Sequence, residues 1–381
     1  MRSTGTYTTS TTLGEAVRAF VPHPLPPAAP PLAPESYAAA NQAAELALAR
    51  LAGVAALVPS VDWLLYSAVR KEALLTSQIE GTQATLADLL DDEAGFAVSN
   101  IDDVQEVSNY LRAFRRVQGE LRSPAGLPIS VRLLCDAHRL LLDGVRGQGK
   151  QPGALRRSQN WIGGTRPGNA AFVPPPPEQV PALLAALEHF IHDAGQPLPP
   201  LVKTALVHQQ FETIHPFLDG NGRIGRLLIG ALLEHWGLLP EPLVYLSGYL
   251  KQHQQEYYRR LSAVRTEGDW EGWVAFFLEG VALAAHEAER NVVAVASLLT
   301  QDRRRLLAAP KGGMVSLRLL ELLPTMPRFT IEQVRQRLDT SFPTASAAVR
   351  LLVSLGIVAE LTGQKSHRSF SYAAYVALLA G

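Results

Sequence analysis

Residues 215–226 read His-Pro-Phe-Leu-Asp-Gly-Asn-Gly-Arg-Ile-Gly-Arg. His215 brings an imidazole, which titrates near neutrality and can take a proton from a hydroxyl. Asp219 is a hard oxygen ligand, the type Mg²⁺ uses where it bridges phosphates. Gly220 and Gly222 reach positive φ at little cost, so the backbone N–H groups around Asn221 can converge on an anion. A helix that begins at this turn adds its unpaired N–H groups and positive dipole end. Arg223 and Arg226 stand three apart on its first turn, so both guanidinium groups face the same anion. The assembled chemistry is attack of a hydroxyl on a phosphate of a Mg²⁺-bound nucleotide. Alone, His-Pro-Phe reads as a helix end and Gly-Asn-Gly as a tight turn. In this order, with Asp219 and the two arginines, the functional reading prevails.

Helices must bracket such a run, and the periodicity supplies them at 201–215 and 224–236. Apolar spacing predicts further helices over 37–57, 62–76 and 85–90. It predicts more through 104–142, then over 181–194, 252–264 and 270–299. Residues 1–36 end in a stretch of seven prolines between Pro22 and Pro34; such a segment cannot be helical and is expected to lie extended over the first domain. The Gly-, Pro- and Asn-rich stretch 144–177 holds β-like patches at 160–162 and 171–173, which suggest a small hairpin around Gly163, Gly164 and Gly168. Past 308–313 come amphipathic helices at 315–323, 331–338 and 344–355. A hairpin of 357–361 and 369–372 follows, with Lys365, His367 and Arg368 at its tip. Three helices followed by a hairpin is the winged-helix pattern. The expected division is an extended segment 1–36, a helical region 37–95, a core 96–307 and a winged-helix unit 308–381.

The 215–226 run resembles the signature of the Fic family, His-x-Phe-x-(Asp/Glu)-Gly-Asn-Gly-Arg-x-x-Arg, at every defined position. The resemblance implies a mainly α fold: a Fic-type helical bundle with a small β-hairpin flap, joined here by the α+β winged helix. It implies transfer of AMP from ATP to a Ser, Thr or Tyr hydroxyl, with His215 as base and Asp219 holding Mg²⁺. Gly220, Asn221, Gly222, Arg223, Gly225 and Arg226 would bind the nucleotide, and Phe217 would anchor the loop. The stretch 158–164, with 172–175, resembles the family's flap, so Ile162, Gly163 and Gly164 would dock the target chain by β-augmentation. The segment 245–258 resembles the adenine-side lining, where Tyr257 or Tyr258 would contact the nucleoside. Aromatic residues at this spacing are equally read as core.

Thr76-Ser77-Gln78-Ile79-Glu80-Gly81 matches the family's inhibitory pattern (Ser/Thr)-x-x-x-Glu-(Gly/Asn), placed ahead of the core. Arg226 cannot hold a carboxylate and the ATP γ-phosphate together, so Glu80 would force ATP into a pose unsuited to in-line attack. On its own, a glutamate before a glycine is a helix end. Residues 144–150 fit Gly-x-x-x-x-Gly-Lys, but Gln151 stands where Ser or Thr would ligate Mg²⁺ and no strand precedes it, which rejects a P-loop. His189, His192 and His208 lack cysteine or carboxylate companions at zinc-site spacing. His208 and Glu212 share a helix face with His215 and read as its support.

The 381 residues include 35 basic and 35 acidic side chains, so global charge points to neither nucleic acid nor a membrane surface. One cysteine, Cys135, cannot form an intrachain disulfide. No run of about 18 apolar residues and no signal-peptide pattern is present, so the expectation is a soluble cytoplasmic protein with no membrane partner. Besides ATP and a target protein, self-modification and a homodimer stay open. So do removal of AMP, transfer of another phosphate-containing group, an inactive binding scaffold, and DNA binding through Arg350 and the hairpin tip. That basic content is thin, which leaves protein docking equally open.

Overall fold

A computed structural model describes residues 2–310, 312–364 and 368–380. Lys365 and His367, expected at the basic tip, lie outside the described residues. The chain opens with an antiparallel hairpin, β1 Gly5–Thr12 and β2 Glu15–Pro22, paired in register from Gly5 opposite Pro22 to Thr12 opposite Glu15. Leu13 and Gly14 turn between them with φ of 51° and 81°, the left-handed pair that a two-residue hairpin needs. This corrects the reading of 1–36 as one extended segment. The prolines begin only at Pro22; ahead of them the chain is rich in β-branched threonine and valine, and β2 turns Val17 and Ala19 inward. Near its other end the segment curls into a 3-10 turn at Pro34–Ser36.

Helices α1 Ala38–Ala55, α2 Val61–Ile79, α3 Leu86–Glu93, α4 Ile101–Arg122 and α5 Val131–Leu141 follow. The loop between α4 and α5 falls where Pro124, Gly126 and Pro128 interrupt the periodicity. Then come α6 Val180–His192, α7 Pro200–Ile214, α8 Asn221–His235, α9 Leu246–Gln252, α10 Gln254–Glu267 and the 39-residue α11 Trp270–Ala308. α7 lies at the centre, buried from Leu201 to Ile214, and α6, α8, α10 and α11 pack around it. A helix enclosed on all sides needs no amphipathic stripe. Its polar residues are buried with it, and Thr204, for example, donates to the Pro200 carbonyl at 2.9 Å.

Residues beyond α11 form α12 Met314–Leu322, β3 Arg328–Thr330, α13 Ile331–Leu338, α14 Phe342–Ser354, β4 Ala359–Glu360, β5 Ser369–Ser371 and α15 Ala373–Ala380. The sheet is antiparallel, ordered β3-β5-β4. Neither β3 nor α15 was expected. α15 packs on α11 and also reaches α2, where the Trp63 carbonyl accepts from the Tyr375 hydroxyl at 3.2 Å. Among the described residues no helix is long and apolar enough to cross a membrane.

Candidate active site

His215 caps α7 in the left-handed region (φ 49°, ψ 62°), a conformation non-glycine residues adopt where the surroundings enforce it. Its Nδ1 faces the Glu212 carbonyl at 3.4 Å, so Nδ1 carries the proton and Nε2 is the free base. Burial holds the imidazole down to about 4, leaving it neutral near pH 7.

Three residues brace the turn behind it. The Asn221 side chain accepts from the Phe217 N–H at 2.8 Å and donates to the Phe217 carbonyl at 2.9 Å, closing the loop on itself. Phe217 is buried and stacks on His138 at 3.9 Å. His138 Nδ1 accepts from the Gly153 N–H at 2.9 Å, so Nε2 must donate to the Asp219 carbonyl, also at 2.9 Å. Burial holds His138 near 4, and its neutral form is the one this pattern requires. Arg156, 2% exposed, donates to the carbonyls of His215 at 2.9 Å and Pro175 at 2.6 Å, joining the turn to the flap.

α8 starts at the turn, with Gly220 at φ 76° as its N-cap. The N–H groups of Asn221, Gly222 and Arg223 have no hydrogen-bond partner among the described residues, leaving an open anion cradle. Arg223 is buried against Glu106 (3.4 Å), which also takes Arg146 at 2.6 Å; the Arg223 Nε is left without a partner. Asp219 is half-exposed, 3.7 Å from Arg223. The rejected glycine run serves it: Gly147, at φ 90°, approaches so closely that a side chain there would meet the Asp219 carboxylate.

Arg226 is buried and, among the described residues, held from the end of α2. Its Nε donates to the Thr76 hydroxyl at 2.6 Å, and its Nη2 to the Thr76 carbonyl at 3.1 Å and to Glu80 at 2.5 Å. Burial by itself would raise the Glu80 carboxyl, but Arg226, with Arg223 and His215, holds it below the usual carboxylate range. A Cβ on Gly222 would run into Glu80, so this carboxylate stands at the mouth of the α8 cradle.

Two expected nucleotide contacts sit elsewhere. Gly225 lies where α8 crosses α7; a side chain would strike Glu212, whose Oε1 is buried without a partner and whose carboxyl burial pushes up to about 7. Tyr257 is 1% exposed, and its hydroxyl bonds His208 Nε2 at 2.9 Å, so it packs behind the site. Exposed Tyr258 is its solvent-side neighbour. Sequence reasoning passed over Glu106, His138 and Arg156. Only the last left a signal, an arginine two residues ahead of the 158–164 stretch that resembles the flap.

The flap itself is slighter than a hairpin. Ile162 and Phe172 form one antiparallel bridge (2.8 and 3.0 Å), and Gly163 and Gly164 turn beside it at φ 68° and 72°. β2 lies against its far side, where the Phe20 N–H donates to the Val173 carbonyl at 2.9 Å. Among the described residues no three of His, Cys, Asp or Glu gather in a metal-binding group.

Residues 38–118 match the family model described as Fic/DOC family N-terminal, and residues 128–233 match the Fic/DOC family. The chain is similar to the protein adenylyltransferase Fic of Drosophila grimshawi, 30% identical over 208 residues, or 53% of this chain and 39% of that relative. The protein of the same name from Drosophila virilis matches to the same extent. The chain thus spans about two fifths of the length of these curated relatives. Among solved structures it is similar to a Fic family protein from Desulfovibrio desulfuricans (TM-score 0.56, 22% identity, 87% of this chain and 95% of that one). A Fic domain-containing signalling protein from Bacteroides thetaiotaomicron gives the same TM-score at 19% identity, over 67% of this chain and 97% of that one. At these identities the likeness concerns the fold.

Proposed function

The chain carries a Fic/DOC N-terminal domain followed by a Fic/DOC domain, and from that premise we propose that it transfers AMP from ATP to a Ser, Thr or Tyr hydroxyl of a target protein or of itself. One observation carries the reading: a free-base imidazole, His215, beside the unpaired N–H groups of the α8 turn. The hydroxyl oxygen bonds to the α-phosphorus, the bond to the β-phosphate oxygen breaks, and the hydroxyl proton passes to His215 Nε2. Pyrophosphate leaves. The α8 N–H groups and Arg223 take up charge on the phosphates, and the orphaned Arg223 Nε suits an anion. The half-exposed Asp219 beside the cradle suits Mg²⁺; that ion would take its remaining oxygens from phosphate and water and neutralise charge there.

Glu80 acts in this reading as a brake, since it occupies the guanidinium that a γ-phosphate needs. ATP labelled at the α-phosphate separates the possibilities. Label retained on protein, and absent in His215→Ala, supports AMP transfer. Retention of a γ-phosphate label instead would mean phosphoryl transfer.

We also read residues 308–381 as a winged helix, from three helices joined to the β3-β5-β4 sheet. Exposed Phe342 and Arg350 on α14 are its outward side chains. A salt-dependent gel shift that weakens in Arg350→Ala assigns DNA as its partner. No shift at low salt assigns protein docking.

A further inference from the structure

A cavity of ≈ 390 Å³ lies behind the helix that carries Glu80. From α2 it is lined by Leu64, Ser67, Ala68, Lys71, Leu75 and Gln78, an uninterrupted i, i+3, i+4, i+7 stripe. α11 answers with Ala288, Asn291, Val292 and Val295 at the same spacing. Two helices therefore present packing stripes to each other across a space that neither fills. Ridges of this kind normally interdigitate, and a void forfeits their contacts. The volume falls in the range of small-molecule sites.

The walls are apolar and the polar groups are few. Lys71 is already paired with Glu287 at 2.9 Å. Lys251 is exposed at the mouth and has no carboxylate partner among the described residues; its ammonium donates to Gln78 Oε1 at 2.6 Å. The cavity therefore asks for an apolar chain with one anionic end.

The two faces of α2 differ in what they touch. At about 100° per residue, Thr76 and Glu80 project from the side opposite the 64–78 stripe. They hold Arg226, while the stripe faces the void. Movement of α2 toward the cavity would draw Glu80 away from Arg226. Empty space there is room to travel. We propose that this cavity binds a small amphipathic carboxylate, tail between α2 and α11 and head on Lys251, and that its occupancy pins α2 against Arg226. The regulatory half rests on the reading of Glu80 as a brake; the binding half does not.

Decanoate is the probe, with decanol as its uncharged counterpart. Calorimetry on the full chain should show saturable decanoate binding, weakened about tenfold in Lys251→Met by loss of one charge-assisted bond, with decanol unaffected by that change. Ala68→Phe and Val292→Phe fill the space from opposite walls, and each should abolish binding while the thermal transition is retained. Amide exchange of α2 should slow with decanoate in the wild type, and the raised AMP incorporation of a Thr76→Ala variant, which keeps Glu80, should fall. No binding to the wild type, or unchanged affinity in both cavity-filling variants, overturns the site. Binding that leaves α2 exchange unchanged overturns the pinning. A Glu80→Gly variant no more active than wild type would remove the brake reading alone, because the isotherms and exchange rates do not depend on it.

Discussion

The corner where α7 meets α8 and the end of α2 hold two arginines one turn apart by opposite means. Arg223 is held by Glu106 of α4, and the turn beside it closes through Asn221, His138 and Arg156. Among the described residues Arg226 is held by Thr76 and Glu80, both from the C-terminal end of α2. One region is pre-organised for a ligand; in the other, part of the ligand's place is taken by the chain's own carboxylate. In the proposed function catalysis depends on the first arrangement and its control on the second, so the two can be broken separately.

The largest effect should come from the base. In a Glu80→Gly background, His215→Ala should lower AMP incorporation by about 10²–10⁴-fold, the usual weight of general-base catalysis, at unchanged thermal stability. An equal rate in both would show that the corner does no chemistry.

Next is the bracing. Arg156→Ala leaves the carbonyls of His215 and Pro175 without their donor and should cost about 2–4 kcal/mol in denaturant unfolding. Activity should fall even where the protein remains folded, since the turn and the flap separate.

A third test is pH. His138 and His215 are neutral in the fold, both near 4, against about 6.5 unfolded. Below pH 6.5 the unfolded chain binds protons that the folded one does not, so their contribution to stability is lost as pH falls from about 6.5 toward 4. Melting temperature should decline over that window, and His138→Gln should flatten the decline.

The smallest effect belongs to Thr76→Ala. It removes one tether of Arg226 and leaves Glu80, so AMP incorporation should rise about fivefold, the worth of about 1 kcal/mol.

Much of the corner was legible because its parts lie within twelve residues, and a glycine turn flanked by Asp219, Arg223 and Arg226 narrows the reading that the turn alone leaves open. What escaped was long-range. Glu106, His138 and Arg156 come from 59 to 117 positions away, as the Arg156–His215 and Glu106–Arg223 contacts show, and periodicity marks them only as helix or loop. Gly225 and Tyr257 were misplaced because a motif does not reveal which side of a helix faces the ligand and which faces a neighbouring helix. The N-terminal hairpin was readable in its β-branched content and its Leu13-Gly14 turn, but the prolines after it dominated the pattern. α7 was easier to find than to interpret, since a helix buried all round has no stripe to betray its central position.

The most direct test is intact mass after incubation of wild type and Glu80→Gly with ATP and Mg²⁺. The account predicts an added AMP in the variant, little or none in the wild type, and none when His215 is also replaced by Ala. Equal mass in all three, with each protein folded and ATP bound, would contradict it.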